Sequence, residues 1–144
     1  TGEQTLEKLV FTRPVKGELL RDFSVETLAL DPTMGDWRTH NGLDLSADVG
    51  LKVMAMAAGT VTEVYEDGLM GTTVVINHGG GLLSTYSNLN EEAAVKPGDT
   101  VDTGTVVGTV GDSAIAESGM EPHLHLEVWK DGDPVNPETY LPEQ

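Results

Sequence analysis

From Leu43 onward the chain alternates apolar and polar residues with a period of two, interrupted at short intervals by glycine, proline and asparagine. Period two is the pattern of strands whose two faces meet different surroundings. The stretch "LKVMAMAAGTVTEVYED" predicts two strands divided at Gly59, and "GTTVVINHGGGLLSTYSNL" predicts a hairpin that turns at His78 to Gly81. "VKPGDTVDTGTVVGTVG" repeats the device, with one turn at Pro97 and Gly98 and another at Gly104. Upstream the pattern is weaker: "TGEQTLEKLV" reads as a short helical turn and "FTRPVKGELLRDF" as an edge strand interrupted by Pro14 and Gly17. "ETLALDPTMGDWRTHNG" reads as a long loop broken by Pro32, Gly35, Asn41 and Gly42. No segment carries the period of a long amphipathic helix. Short strands with regular turns predict an all-β fold, an antiparallel sandwich or barrel built from hairpins.

Two segments share a local pattern, "AAGTVTEV" and "DTGTVVGTV", each placing Gly-Thr-Val after a turn. They are either two related units facing each other or two instances of the glycine that a strand entry often needs. Met54, Met56 and Met70 read as core filler, and Trp37 as a cover over the loop. His78, just before three glycines, reads as a turn or surface residue.

Length and charge narrow the setting. The 144 residues suit one domain with a hydrophobic core. Eight basic against 24 acidic residues leave a net charge of −16, which repels a phosphate backbone and excludes nucleic acid as a partner. The absence of cysteine excludes disulfides and thiolate metal sites, and no apolar run approaches the length of a membrane span.

The chemistry gathers around three of the four histidines. In "PHLHLE" a strand would project His123, His125 and Glu127 from one face and Leu124, Leu126 and Val128 from the other, giving a chemical face and a core face. "THNGLD" places His40 and Asp44 where the breaker-rich stretch gives way to a strand. Three imidazoles and a carboxylate are the ligand types zinc prefers when sulfur is missing.

The order of H-x-x-x-D, glycine-rich hairpin, "YSNL", "VKPGDTVDTGTVVGTVG" and "HLHLEV" resembles the lysostaphin-type, LytM-like zinc endopeptidases that cut peptide bridges in bacterial cell walls. The resemblance runs from about Val10 to Leu141, including the closing "DGDPVNPETYL". It implies a LytM-like domain over residues 10–144 with a duplicated hybrid motif, preceded by an extension or linker at residues 1–9. It also implies one bound Zn2+ held by His40, Asp44 and His125, with His123 as a catalytic histidine and peptidoglycan peptides as the substrate class.

One position departs from the pattern. Where the active peptidases carry a second catalytic histidine, "YSNL" has Asn88, and an amide cannot exchange a proton near neutral pH. Loss of such acid or base help typically costs about 10²–10⁴-fold in rate. Together with "DPTMGDWRTHNGLD" and the insert "GDSAIAESGME", this is similar to the stage II sporulation protein Q-like branch. That branch implies an N-terminal transmembrane anchor outside these residues, an extracytoplasmic domain at the forespore membrane, and a sporulation membrane protein as partner. Two readings stay open: a zinc endopeptidase with His123 and a weak substitute at Asn88, or a zinc-stabilised scaffold. A carboxylate of the insert, Glu117 or Glu121, is a candidate to block the open zinc position. A lipoyl-type carrier domain, the third reading, lacks a lysine at its hairpin tip "MAMAAG".

Overall fold

Strands form where the alternating residues can bury one face. The computed structural model describes residues 9–17, 19–21, 24–30, 37–40, 42–68, 70–111 and 122–142, with the backbone alone described at residues 21, 24–30 and 37–40. In chain order the strands are β1 (Leu19–Arg21), β2 (Ser24–Leu30), β3 (Trp37–His40), β4 (Gly42–Ser46), β5 (Lys52–Met54) and β6 (Gly59–Asp67). They continue with β7 (Gly71–Gly79), β8 (Leu82–Leu89), β9 (Thr100–Val101), β10 (Val106–Thr109), β11 (His123–Lys130) and β12 (Asp133–Val135). A 3-10 turn at Pro137–Thr139 follows, capped by the Asn136 side chain, which accepts from the Glu138 amide.

The main sheet runs β1-β4-β11-β8-β7-β6-β9, with β12 also paired to β11, and two further pairs, β5 with β10 and β2 with β3, stand beside it. Every pairing among them is antiparallel, as the alternation predicts. Leu43 and Leu45 of β4, Val74 and Ile76 of β7, Tyr86 of β8 and Leu124, Leu126 and Val128 of β11 supply one wall of the core. Val53 of β5 and Val107 of β10 close it from the opposite side. Burying each such aliphatic side chain contributes about 1.5–3 kcal/mol. The β7–β8 hairpin turns at Gly80 and Gly81, whose φ of 61° and 83° explain why glycine stands there.

Each Gly-Thr-Val segment pairs with the residues that precede the other: Gly59 and Thr60 with Val101 and Thr100, and Val106 with Met54. β6 pairs with β9, β5 pairs with β10, and between them the crossing chains exchange hydrogen bonds from Ala55 N to Thr105 O and from Gly104 N to Ala55 O.

Several expectations need correction. The stretch read as a long loop contains β2 and β3, paired through Ser24 with His40, Ala29 with Arg38 and Leu30 with Trp37. Of its breakers, Gly42 opens β4, and Pro32, Gly35 and Asn41 lie outside the described residues. The edge strand near Pro14 shrinks to the three residues of β1, which does lie at the sheet edge. Of the three methionines only Met56 is fully buried, while Met54 and Met70 are half-buried. The expected turn at the N-terminus and the Trp37 side chain lie outside the described residues.

His78 is buried in the core instead of lying on the surface, 2% exposed. Its Nδ1 lies 2.8 Å from the Ala58 carbonyl and its Nε2 lies 2.7 Å from Ser84 Oγ. A carbonyl only accepts, so Nδ1 carries the proton and Nε2 of the neutral ring accepts from the Ser84 hydroxyl. That spends the one Ser84 hydrogen, so the Tyr86 hydroxyl, 2.9 Å away, donates to Ser84 and itself accepts from the Met56 amide at 2.9 Å. Burial pushes the Tyr86 hydroxyl up to about 12, which keeps it a donor.

Candidate functional site

The site begins with a close approach of two strands. Opposite Glu127, Gly42 lets β4 lie against β11, because a Cβ there would overlap the Leu126 carbonyl oxygen. The register that follows puts Asp44 directly across from His125 and Ser46 across from His123. On β11 the leucines take the core face, so both histidines share the other face with Asp44.

His125 Nδ1 and Asp44 Oδ1 are 2.7 Å apart, and His123 Nε2 lies 3.7 Å from the same oxygen. All three side chains are buried, with Asp44 0%, His123 1% and His125 3% exposed. Charged groups lose hydration at such a place, and a carboxylate is retained there only with a partner. Imidazole nitrogen and carboxylate oxygen are both ordinary zinc donors. Ligand atoms around a tetrahedral zinc sit about 3.3 Å apart, so the pair needs only a small opening to admit the ion. Among the described residues no three groups form a complete cage. His40 ends β3, one residue before the β4 segment that carries Asp44, and its side chain lies outside the described residues. The donor set thus fits a metal, with Asp44 and His125 adjacent. Glu117 and Glu121 also lie outside the described residues.

Asn88 has a backbone role that the sequence pattern does not show. It adopts φ of 64°, in the left-handed region that asparagine tolerates better than most residues. Its Nδ2 donates to the His123 carbonyl at 2.8 Å, its N–H to Met70 O at 2.9 Å, and its carbonyl accepts from Gly111 N at 2.8 Å. The amide therefore ties the end of β8 to the start of β11, beside the two histidines.

An open groove runs along the same sheet face. It is lined by Glu63 and Tyr65 of β6, Thr73 of β7, Thr85 and Ser87 of β8, and Trp129 of β11, among others. Ser87, in register with His125, shares a hydrogen bond of 3.1 Å with Thr73. Burial, then Asp67, Glu63 and Glu127, holds the Tyr65 hydroxyl above its usual range, a sign of how acidic this face is.

Sequence reasoning placed Glu127 on the chemical face without giving it a role. Its Oε2 lies 2.9 Å from His125 Nε2, and its Oε1 accepts the Trp129 indole N–H at 2.8 Å. The signal was present, since continuing the same two-residue step from His123 through His125 reaches Glu127 and Trp129.

An all-antiparallel sandwich with a histidine–carboxylate pair at the end of a groove defines a class of metallopeptidase-type domains. Residues 38–137 match Peptidase family M23, and the chain belongs to that family. It is 33% identical over 136 residues to the DD-carboxypeptidase/endopeptidase Mpg of Neisseria meningitidis, covering 94% of this chain and 29% of that protein. It is also 33% identical over 102 residues to stage II sporulation protein Q of Bacillus subtilis, covering 69% of this chain and 35% of that protein. Among solved structures, a zinc-containing peptidase from Vibrio cholerae superposes with a TM-score of 0.72 at 26% identity, over 88% of this chain and 38% of that one. The chain thus spans little more than a third, at most, of the length of these relatives.

Proposed function

We propose that residues 10–144 form an extracytoplasmic, zinc-binding peptidase-family domain directed at peptidoglycan peptides, with hydrolysis weakened or absent. The observation that carries this reading is the pair of Asp44 and His125, buried beside His123 at the end of the groove. Family membership and the name of one relative, the peptidoglycan DD-endopeptidase ShyC of Vibrio cholerae, support the substrate class.

His40, Asp44 and His125 would hold the ion, and the Asp44 carboxylate would offset part of its charge. When bound, zinc supplies an acidified water and a Lewis acid for the scissile carbonyl. His123, on the same face, is placed to hold or move a proton next to a substrate lying in the groove. Asn88 cannot take that proton, and one of its two amide hydrogens is given to the His123 carbonyl. It holds a strand in place where the family pattern has a catalytic histidine.

That same observation favours a second reading, a scaffold that binds a partner protein at the forespore membrane. The similarity to stage II sporulation protein Q supports it, as does a groove retained beside an incomplete catalytic pair. Under either reading a membrane anchor would precede residue 10; among the described residues no helix is long and apolar enough to cross a membrane.

Mass spectrometry of peptidoglycan digests with zinc-loaded protein decides between them, run beside the Asn88→His variant. The expected outcome is little or no cleavage by the native chain and new peptide products from the variant. Rapid cleavage by the native chain would show that His123 suffices and would overturn the weakened-site reading. No cleavage by either protein would favour the scaffold.

A further inference from the structure

Three residues of β11 that stand on one face, His125, Glu127 and Trp129, are joined in a row. Glu127 uses both oxygens: Oε2 lies 2.9 Å from His125 Nε2, and Oε1 accepts the Trp129 indole N–H at 2.8 Å. On the far side of the imidazole, Nδ1 lies 2.7 Å from Asp44 Oδ1. The histidine side chain is 3% exposed and the glutamate 19%, so this hydrogen bond is largely shielded from competing water.

A carboxylate can only accept, so a proton held by Glu127 sits on His125 Nε2. Asp44, also only an acceptor, competes for that proton at Nδ1, and with an ion held between the two side chains the Nε2 tautomer would leave the Nδ1 lone pair for the metal. Without Glu127 the two tautomers of a neutral imidazole would compete, and one of them points a hydrogen where a ligand atom is needed. Indole is a donor only, so Trp129 fixes which way the carboxylate faces and leaves Oε2 for the histidine.

We propose that Glu127 is the positioning residue of the metal centre: it keeps the His125 proton on Nε2, presents Nδ1 to the metal, and is itself held by Trp129. The inference rests on reading Asp44 and His125 as metal ligands. Partners of this kind commonly tune metal affinity about 10–100-fold.

The chemistry of Glu127→Gln gives a distinctive test. The glutamine oxygen can still accept the Nε2 proton, but its NH2 group then faces the Trp129 indole N–H, donor against donor. Trp129→Phe removes that opposing donor. Zinc affinity, measured by competition with a chromophoric chelator, should fall about 10–100-fold in Glu127→Gln and less in Trp129→Phe. In the double variant it should recover above the Glu127→Gln value. A purely structural role would add one loss to the other. Nitrogen-15 NMR of the zinc-loaded native protein should show the His125 proton on Nε2, and metal-free melting temperatures should track neither the affinities nor the recovery.

Outcomes separate the two levels of the argument. If the native chain binds no zinc, or His125→Ala retains it, the ligand reading falls and this inference falls with it. If native zinc binding is lost in His125→Ala yet unchanged in Glu127→Gln, or if the His125 proton is found on Nδ1, the positioning role alone is overturned. The same holds if the double variant is weaker than Glu127→Gln.

Discussion

At the scale of single residues, two buried polar groups show how differently the same side chains behave in this fold. His78 and His125 both lie between two partners, but His78 faces a carbonyl and a hydroxyl whereas His125 faces two carboxylates. Burial is the main reason His78 is held below its usual range, against a smaller opposing pull from the Ala58 carbonyl. The unfolded chain therefore binds this proton more readily than the folded one. The contribution is fully present above pH 6.5, the ordinary value for histidine, and is lost as pH falls below it toward the lowered folded value. The expected outcome is a melting temperature that drops between neutral pH and pH 5, with part of the slope absent in His78→Gln. One uncompensated proton is worth at most about 1.4 kcal/mol per pH unit, and parallel thermal scans across that range measure it. Nothing in the local sequence announced this, because a histidine before three glycines looks like turn chemistry, while its burial depends on Ala58, from the bend before β6, and on Ser84 of β8.

At the scale of elements, the hairpins from Leu43 onward were legible because each has one buried face and explicit turn residues. In β11 the leucines join the core cluster while both histidines take the opposite face, also buried, which is the split of faces that the sequence implies. β2 and β3 were not legible, since proline, glycine and asparagine close to short strands mask the alternation. The sequence singled out Asp44, His123 and His125, and the structure brings these three side chains together. What the sequence could not supply was the register that sets Asp44 across from His125, or the conformation that gives Asn88 to a backbone carbonyl. That register depends on Gly42. Gly42→Ala would force β4 away from the Leu126 carbonyl, and overpacking of this kind costs about 1–3 kcal/mol. The expected result is a lower unfolding midpoint in urea and, under the proposed metal reading, weaker zinc binding. An equally stable variant with native zinc affinity would show that the strands can separate without disturbing the pair.

At the scale of the whole molecule, the fold class followed from period and punctuation, whereas charge carries a separate message. A chain of 144 residues with a net charge of −16 repels itself when folded, and the described ion pairs of basic side chains, Arg13 with Glu138 and Lys130 with Asp131, relieve little of that. Raising ionic strength from low to physiological values shortens the screening length to about 8 Å and should raise the melting temperature by a few degrees. A flat response in calorimetry would mean that the acidic groups are spaced widely enough to ignore one another. The order of the strands in the main sheet has a further effect. β11 comes late in the chain yet sits between β4 and β8, both made long before it. During synthesis those two strands must wait with open edges until the last quarter of the chain arrives between them. The strand that closes the gap is also the one that brings His123, His125 and Glu127. Completion of the sheet and assembly of the chemical groups are therefore a single event, and a nascent or clipped chain lacking that strand can neither hide its edges nor gather those groups.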